Sequence, residues 1–188
     1  MNKKFLWGLG IIAGVILLAV FWYIGIYNSL IMLNEEVSNK WAQVETQYQR
    51  RVDLIPNLVA TVKGAAGFEK STLEEITRLR SQWQAAPTAE QKVETANQIE
   101  SALSKLLVVA ENYPQLTATK NFQSLQDELA NTENKVAVER GRYNDAVKTF
   151  NARIKTFPSS IVAKRLGYTD RTYFKAKEGA ENAPEIKF

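Results

Sequence analysis

The sequence predicts an all-α protein: an N-terminal transmembrane helix followed by an up-and-down four-helix bundle with long first and last helices. Three observations carry this. Residues 5–26 form an uncharged apolar run of 22 residues, and a helix crossing a bilayer core needs roughly 20. Beyond it, apolar residues recur at spacings of three and four through most of the chain, the period of a helix with one buried face. No segment shows the period-two alternation of a half-buried strand. The chain therefore divides into residues 1–29 (cytoplasmic N-terminus and anchor), 30–158 (helical bundle) and 159–188 (a C-terminal tail packing on the bundle or the membrane surface).

The anchor comes first. No charged residue occurs between positions 5 and 33. A cleavable signal sequence would have a shorter apolar region, about 7–15 residues, and a small-residue cleavage site after it. Here the run closes on Phe21-Trp22-Tyr23, an aromatic cluster of the kind that sits at a membrane interface. The lipid bilayer is thus the first partner, through residues 5–26. Lys3 and Lys4 precede the span, whereas Glu35 and Glu36 follow it and Lys40 is the first base beyond. The excess of positive charge places the N-terminus in the cytoplasm and the bundle on the periplasmic or extracellular side of a bacterial inner membrane. Gly8-Leu9-Gly10-Ile11-Ile12-Ala13 matches a dinucleotide-binding pattern, but it lies inside a membrane helix with no strand before it. Gly10 and Gly14 form a GxxxG, which lets two helices approach closely.

The first bundle helix continues out of the span, over residues 30–66. Leu30, Leu33, Val37, Trp41, Val44, Tyr48, Val52, Ile55, Val59, Val62 and Ala66 form its stripe. Pro56 should kink it near Asp53, and Gly64 and Gly67 mark its end. A second helix starts at Ser71 or Thr72, where Glu74 and Glu75 stand at capping-box spacing, and stops at Ala86-Pro87. A third starts at Thr88, with Gln91 three residues on, and stops at Tyr113-Pro114. The fourth is the most regular: Phe122, Leu129, Val136, Tyr143, Phe150 and Phe157 recur every seven residues, and Pro158 ends it. A second row starts at Leu125 and resumes at Val147 and Ile154. It turns polar around Thr132, Glu139 and Arg140. In the tail, residues 161–166 suggest a short amphipathic turn before Gly167, and Tyr173, Phe174 and Phe188 suggest packing on the bundle.

Several segments resemble the LemA family of bacterial membrane proteins. They are Ile26-Tyr27-Asn28-Ser29-Leu30, Tyr48-Gln49-Arg50-Arg51-Val52-Asp53-Leu54-Ile55-Pro56-Asn57-Leu58-Val59, Leu106-Leu107-Val108-Val109, Leu125-Gln126-Asp127-Glu128-Leu129, Thr132-Glu133-Asn134, Tyr143-Asn144, Phe157-Pro158 and Gly179-Ala180-Glu181-Asn182-Ala183-Pro184. The resemblance covers essentially the whole chain. It implies an N-terminal anchor and an up-and-down four-helix bundle, and it implies no enzymatic activity. Some members of the family are linked to organelle-like membranes of magnetotactic bacteria.

Composition narrows the chemistry. The chain has no histidine and no cysteine, so disulfides, thiolate nucleophiles and the commonest general base and metal ligand are absent. Setting Lys3 and Lys4 aside leaves 22 basic against 20 acidic residues, which is no electrostatic footprint for nucleic acid. The carboxylate pairs Glu35/Glu36, Glu74/Glu75 and Asp127/Glu128 point about 100° apart on a helix and do not converge. A di-iron bundle would use Glu-x-x-His on two helices. The expectation is no catalytic residue, no metal and no cofactor.

Two groups of residues stand out. Arg50, Arg51, Asp53 and Asn57 form a polar cluster on the first helix. With Leu30 level with Phe157, position i faces roughly 187 − i of the last helix. Arg50 or Arg51 should then meet Glu133 or a near neighbour, with Asn134 opposite Asp53, in one polar layer that fixes the register of the bundle. The second group follows from helix length. Helices of 37 and 36 residues each span about 55 Å, and the two shorter helices cannot cover all of that. Leu33, Val37, Trp41, Val44, Phe150, Ile154 and Phe157 would then form an apolar seam beside the anchor. Either the tail or another copy of the chain covers it, and tethering in one plane favours the copy. The function expected is a non-enzymatic, membrane-anchored helical scaffold or interaction protein that forms a homo-oligomer, with another membrane protein as the alternative partner. The rival is an enzyme or enzyme accessory acting at the membrane on lipid or cell-wall substrates.

Overall fold

The computed structural model describes residues 3–63 and 70–174, all helix and connecting loop with no strand among them. In chain order the helices are α1 (Lys3–Lys63), α2 (Lys70–Ala85), α3 (Ala89–Ala110), α4 (Pro114–Thr117), α5 (Lys120–Lys155) and α6 (Ser159–Arg165). They form two compact units, one of residues 1–42 with 139–188 and one of residues 43–138. The expected helix end at Ala66, the glycines at 64 and 67, the motif at 179–184 and Phe188 lie outside the described residues.

α1 is a single helix of 61 residues. Its N-terminal part is long and apolar enough to cross a membrane. That part is largely uncovered by the described residues: Leu18 and Phe21 are each 71% exposed. In water such exposure would be costly, whereas in lipid it is the favourable arrangement. Pro56 lies inside the helix and does not end it. A proline there deprives the Val52 carbonyl of its helical donor. Ile55, Leu58 and Val59 beside it are nevertheless buried, so packing holds this turn.

The first unit encloses a core of Ile26, Leu30 and Val37 from α1, Ala146, Val147, Phe150 and Ile154 from α5, and Val162 and Ala163 from α6. Leu33, Tyr143, Leu166 and Tyr168 pack against it. α6 ends in a Schellman turn. Tyr168 N–H donates to the Ala163 carbonyl at 3.0 Å and Gly167 N–H to that of Lys164 at 3.1 Å. Gly167 takes φ +71°, a conformation that penalises any residue with a Cβ.

The second unit is built from one apolar stripe per helix. α1 buries Val44, Tyr48, Val52, Ile55, Leu58, Val59 and Val62, while α2 buries Leu73, Ile76, Leu79 and Trp83. α3 adds Ala96, Ile99, Ala102, Leu103, Leu106 and Ala110, and α5 adds Phe122, Leu129 and Val136. Thr88 caps α3, its hydroxyl accepting from Gln91 N–H at 3.2 Å. Ser71 and Thr72 lie within α2, which the structure describes from Lys70, rather than ahead of it. Pro114 does not merely stop α3. As the first residue of α4 it starts another turn, which buries Leu116. The polar point on α5 at Thr132 is buried but satisfied locally, its hydroxyl donating to the Leu129 carbonyl at 2.9 Å.

Candidate functional site

In the second unit the polar group centres on Arg51. Positions 44, 48, 52, 55, 58, 59 and 62 of α1 face inward, and 51 falls on the same face, three beyond 48 and four before 55. Its guanidinium is therefore carried into the core and is 5% exposed. Arg51 Nη2 donates to Glu133 Oε2 of α5 at 3.3 Å, and Nη1 lies 3.8 Å from Glu100 Oε2 of α3. The carboxylates are unlike in setting. The Glu100 side chain is 8% exposed and that of Glu133 54%. Arg51 Nε is buried with no hydrogen-bond partner among the described residues.

The other residues of the expected polar layer lie outside it. Arg50, Asp53, Asn57 and Asn134 are all exposed. Helical geometry gives the reason on α1: at about 100° per residue, Arg50, Asp53 and Asn57 stand roughly 100–160° round from Arg51, on the side away from the buried Val52. Asp53 accepts instead from Gln49 Nε2 at 2.7 Å, and Thr61 Oγ1 donates to the Asn57 carbonyl at 2.8 Å. Glu100 is the member that sequence reasoning missed. It stands on the inner face of α3, next to Ile99, and a pairing argument confined to the first and last helices does not reach it.

A second polar contact lies in the same unit. Lys92 Nζ donates to Glu45 Oε1, and the ammonium also sits 5.2 Å from the ring centroid of the buried Trp83.

In the first unit the chain after α6 lies along α5 as an extended segment, pinned by two asparagines. Asn151 Oδ1 accepts from Arg171 N–H at 2.8 Å, and its Nδ2 donates to the Arg171 carbonyl at 2.9 Å. Asn144 does the same with Phe174, at 2.9 and 3.0 Å. Each carboxamide thus behaves as the edge of a neighbouring strand. The spacing fits. Seven helical residues rise about 10.5 Å, and three extended residues span about 10 Å. Arg171 Nη2 also reaches Asn34 Oδ1 of α1 at 2.9 Å, and Lys155 Nζ pairs with Asp170 Oδ2 at 2.7 Å. The Phe174 ring stacks on Trp41 at 5.9 Å and meets Tyr143 edge-on at 5.1 Å, with the Arg140 guanidinium 5.2 Å from its centroid.

Of the two covers expected for the apolar seam, the tail or another copy, this segment of the tail lies over the part in the first unit. Val37, Phe150 and Ile154 are buried in the first unit and Val44 in the second, while Leu33 and Trp41 are half-buried. Of the seven only Phe157 is exposed, at 76%. The cover over the first-unit residues is the chain's own α6 and the residues after it.

Chemically, both arrangements hold helices and chain in place. Arg51 satisfies carboxylates, and the asparagines satisfy backbone. Among the described residues no three Asp or Glu side chains converge as metal ligands.

The model of the LemA family matches residues 40–188. The chain is 28% identical over 159 residues to Protein LemA of Metamycoplasma hominis, covering 84% of this chain and 73% of that protein. It is 23% identical over 181 residues to Magnetosome protein MamQ 2 of Paramagnetospirillum magneticum, covering 82% of this chain and 66% of that one. Magnetosome protein MamQ of Magnetospirillum gryphiswaldense is 21% identical, with the same coverage.

Proposed function

The chain belongs to the LemA family, and on that premise we propose that it is a membrane-anchored, non-enzymatic helical scaffold that self-assembles in the plane of the membrane. The observation that carries the reading is the continuity of α1. One helix starts as an apolar span exposed on all sides and goes on to supply buried faces in both units. Such a helix ties the position of the folded part to the bilayer. The names LemA and magnetosome protein MamQ state no reaction, and Arg51, Asn144 and Asn151 of this chain are engaged in structural bonds.

In this reading α1, α2, α3 and α5 form an up-and-down four-helix arrangement. The N-terminus is cytoplasmic, as Lys3 and Lys4 favour. Self-association proceeds through the span rather than the closed seam. Gly10 and Gly14 present an open face on which an added Cβ meets no atom of the chain, and a second helix can approach closely there. Tethering in one plane raises the effective concentration of copies.

The test is mass photometry of the full-length protein in native nanodiscs, with identification of co-purifying proteins. The expected result is multiples of the 21.2 kDa chain that collapse to monomer in a Gly10→Ile, Gly14→Ile variant. A uniform monomer for the intact protein overturns self-assembly.

A further inference from the structure

We propose that the corner between α5 and α6 is a second membrane contact, an apolar and basic knuckle seated in the headgroup layer of the bilayer that α1 spans. The proposal rests on α1 being the anchor and adds a surface to it.

Position comes first. Residues 5–26 rise about 33 Å as a helix, so Ile26 stands at the edge of a bilayer core roughly 30 Å thick. Tyr23 and Tyr27, stacked at 6.5 Å, mark the same level with the amphipathic rings typical of an interface. Ile26 shares its core with Ile154, Val162 and Ala163. Within the first unit α5 runs antiparallel to α1: Trp41 meets Tyr143, and Arg171 bridges Asn34 to Asn151. The C-terminal end of α5 therefore points at the bilayer. The chain then reverses, because Tyr168 packs on Phe150 and Phe174 is held by Asn144. Apart from the span itself, the turning point, residues 157–167, lies at the membrane side of the described part of the first unit.

Chemistry comes second. α6 is two-faced. Val162 and Ala163 are buried, and Ile161, Lys164 and Arg165, at helical spacings of three and four, face outward. Ile161 is 62% exposed and Phe157 76%, two large apolar side chains presented at the end of α5 that points at the bilayer. Beside them Lys164 and Arg165 make no ion pair among the described residues, while Lys155 is occupied by Asp170. Apolar residues flanked by exposed bases are the composition of a helix lying in an interface, the bases meeting anionic headgroups.

The chain contains no cysteine, so single reporters can be placed cleanly. Full-length Ile161→Cys, Phe21→Cys and Gly141→Cys, each carrying an environment-sensitive fluorophore, are placed in phosphatidylglycerol-containing nanodiscs with and without nitroxide-labelled lipid. Gly141 is exposed and lies about 20 Å along α5 from its C-terminal end, so the proposal expects quenching of about twofold or more at 161 and at 21, with little change at 141. Quenching at 21 without quenching at 161 overturns the corner and leaves the anchor standing. No quenching at 21 overturns both. Added Lys164→Glu and Arg165→Glu substitutions should relieve the quenching at 161 and not that at 21. Undiminished quenching at 161 would remove the role of the bases.

Discussion

The two units of this chain share α1 and α5 but are completed by different physics. The second is finished by helices: α2 and α3 bring regular apolar stripes, and one buried arginine reconciles two carboxylates inside them. The first is finished, among the described residues, by α6 and an extended segment whose backbone is satisfied by asparagine side chains and whose Tyr168 and Phe174 rings pack on Phe150 and Trp41. The first solution depends on a carboxamide pair and a ring, the second on an ion pair that must not lose a partner.

Substitutions at the two places should therefore fail differently. Arg51→Ala carries the largest expected effect. It leaves the Glu100 carboxylate buried without its cation, a loss on the order of 3 kcal/mol, readable as a lowered denaturation midpoint of the full-length protein in detergent. Replacing Arg51 and Glu100 together with Met and Leu should recover most of that, since no charge is then stranded. If Arg51→Ala alone is neutral, the pair is not desolvated in solution.

Phe174→Ala comes next, at about 2 kcal/mol, because the ring is only half-buried but fills the space between Trp41 and Tyr143. Its signature is local. Amide exchange should quicken at residues 168–174, with α2 and α3 unchanged. Asn151→Ala removes both bonds to Arg171 and should cost about 1–2 kcal/mol, with the same local pattern. A uniform loss of protection across both units in either variant would mean the segment is not a separate closure. Glu133→Gln is the smallest, about 0.5 kcal/mol, because its side chain is half exposed and its ion pair is screened.

The same contrast explains what could be read from the sequence. Helical stripes and the Thr88 cap follow from periodicity and local chemistry, so the helices of the second unit were largely legible. So was the level at which Arg51 and Glu133 stand, because two antiparallel helices of equal rise fix it. Glu100 was not, since only the packing of α3 decides which α5 or α1 residue it faces. The path of residues 168–174 was hidden for another reason. It is set by side-chain-to-backbone bonds that leave no periodic trace. One signal was available: Asn144 and Asn151 stand seven apart on one face of a long helix, two turns whose rise matches three residues of extended chain. A cover by another copy was favoured because helix lengths alone leave part of α1 and α5 bare. An extended segment covers such a face without adding a helix.

The account turns on α1 serving at once as anchor and as a wall of the folded part. Hydrogen exchange of the full-length protein in nanodiscs tests this most directly. The prediction is unbroken amide protection from the span through residues 27–42 and on to Tyr48, including the turn around Glu35 and Glu36. Fast exchange across residues 27–37, with protection on either side, would show an anchor joined to its domain by a loose tether, and would contradict it.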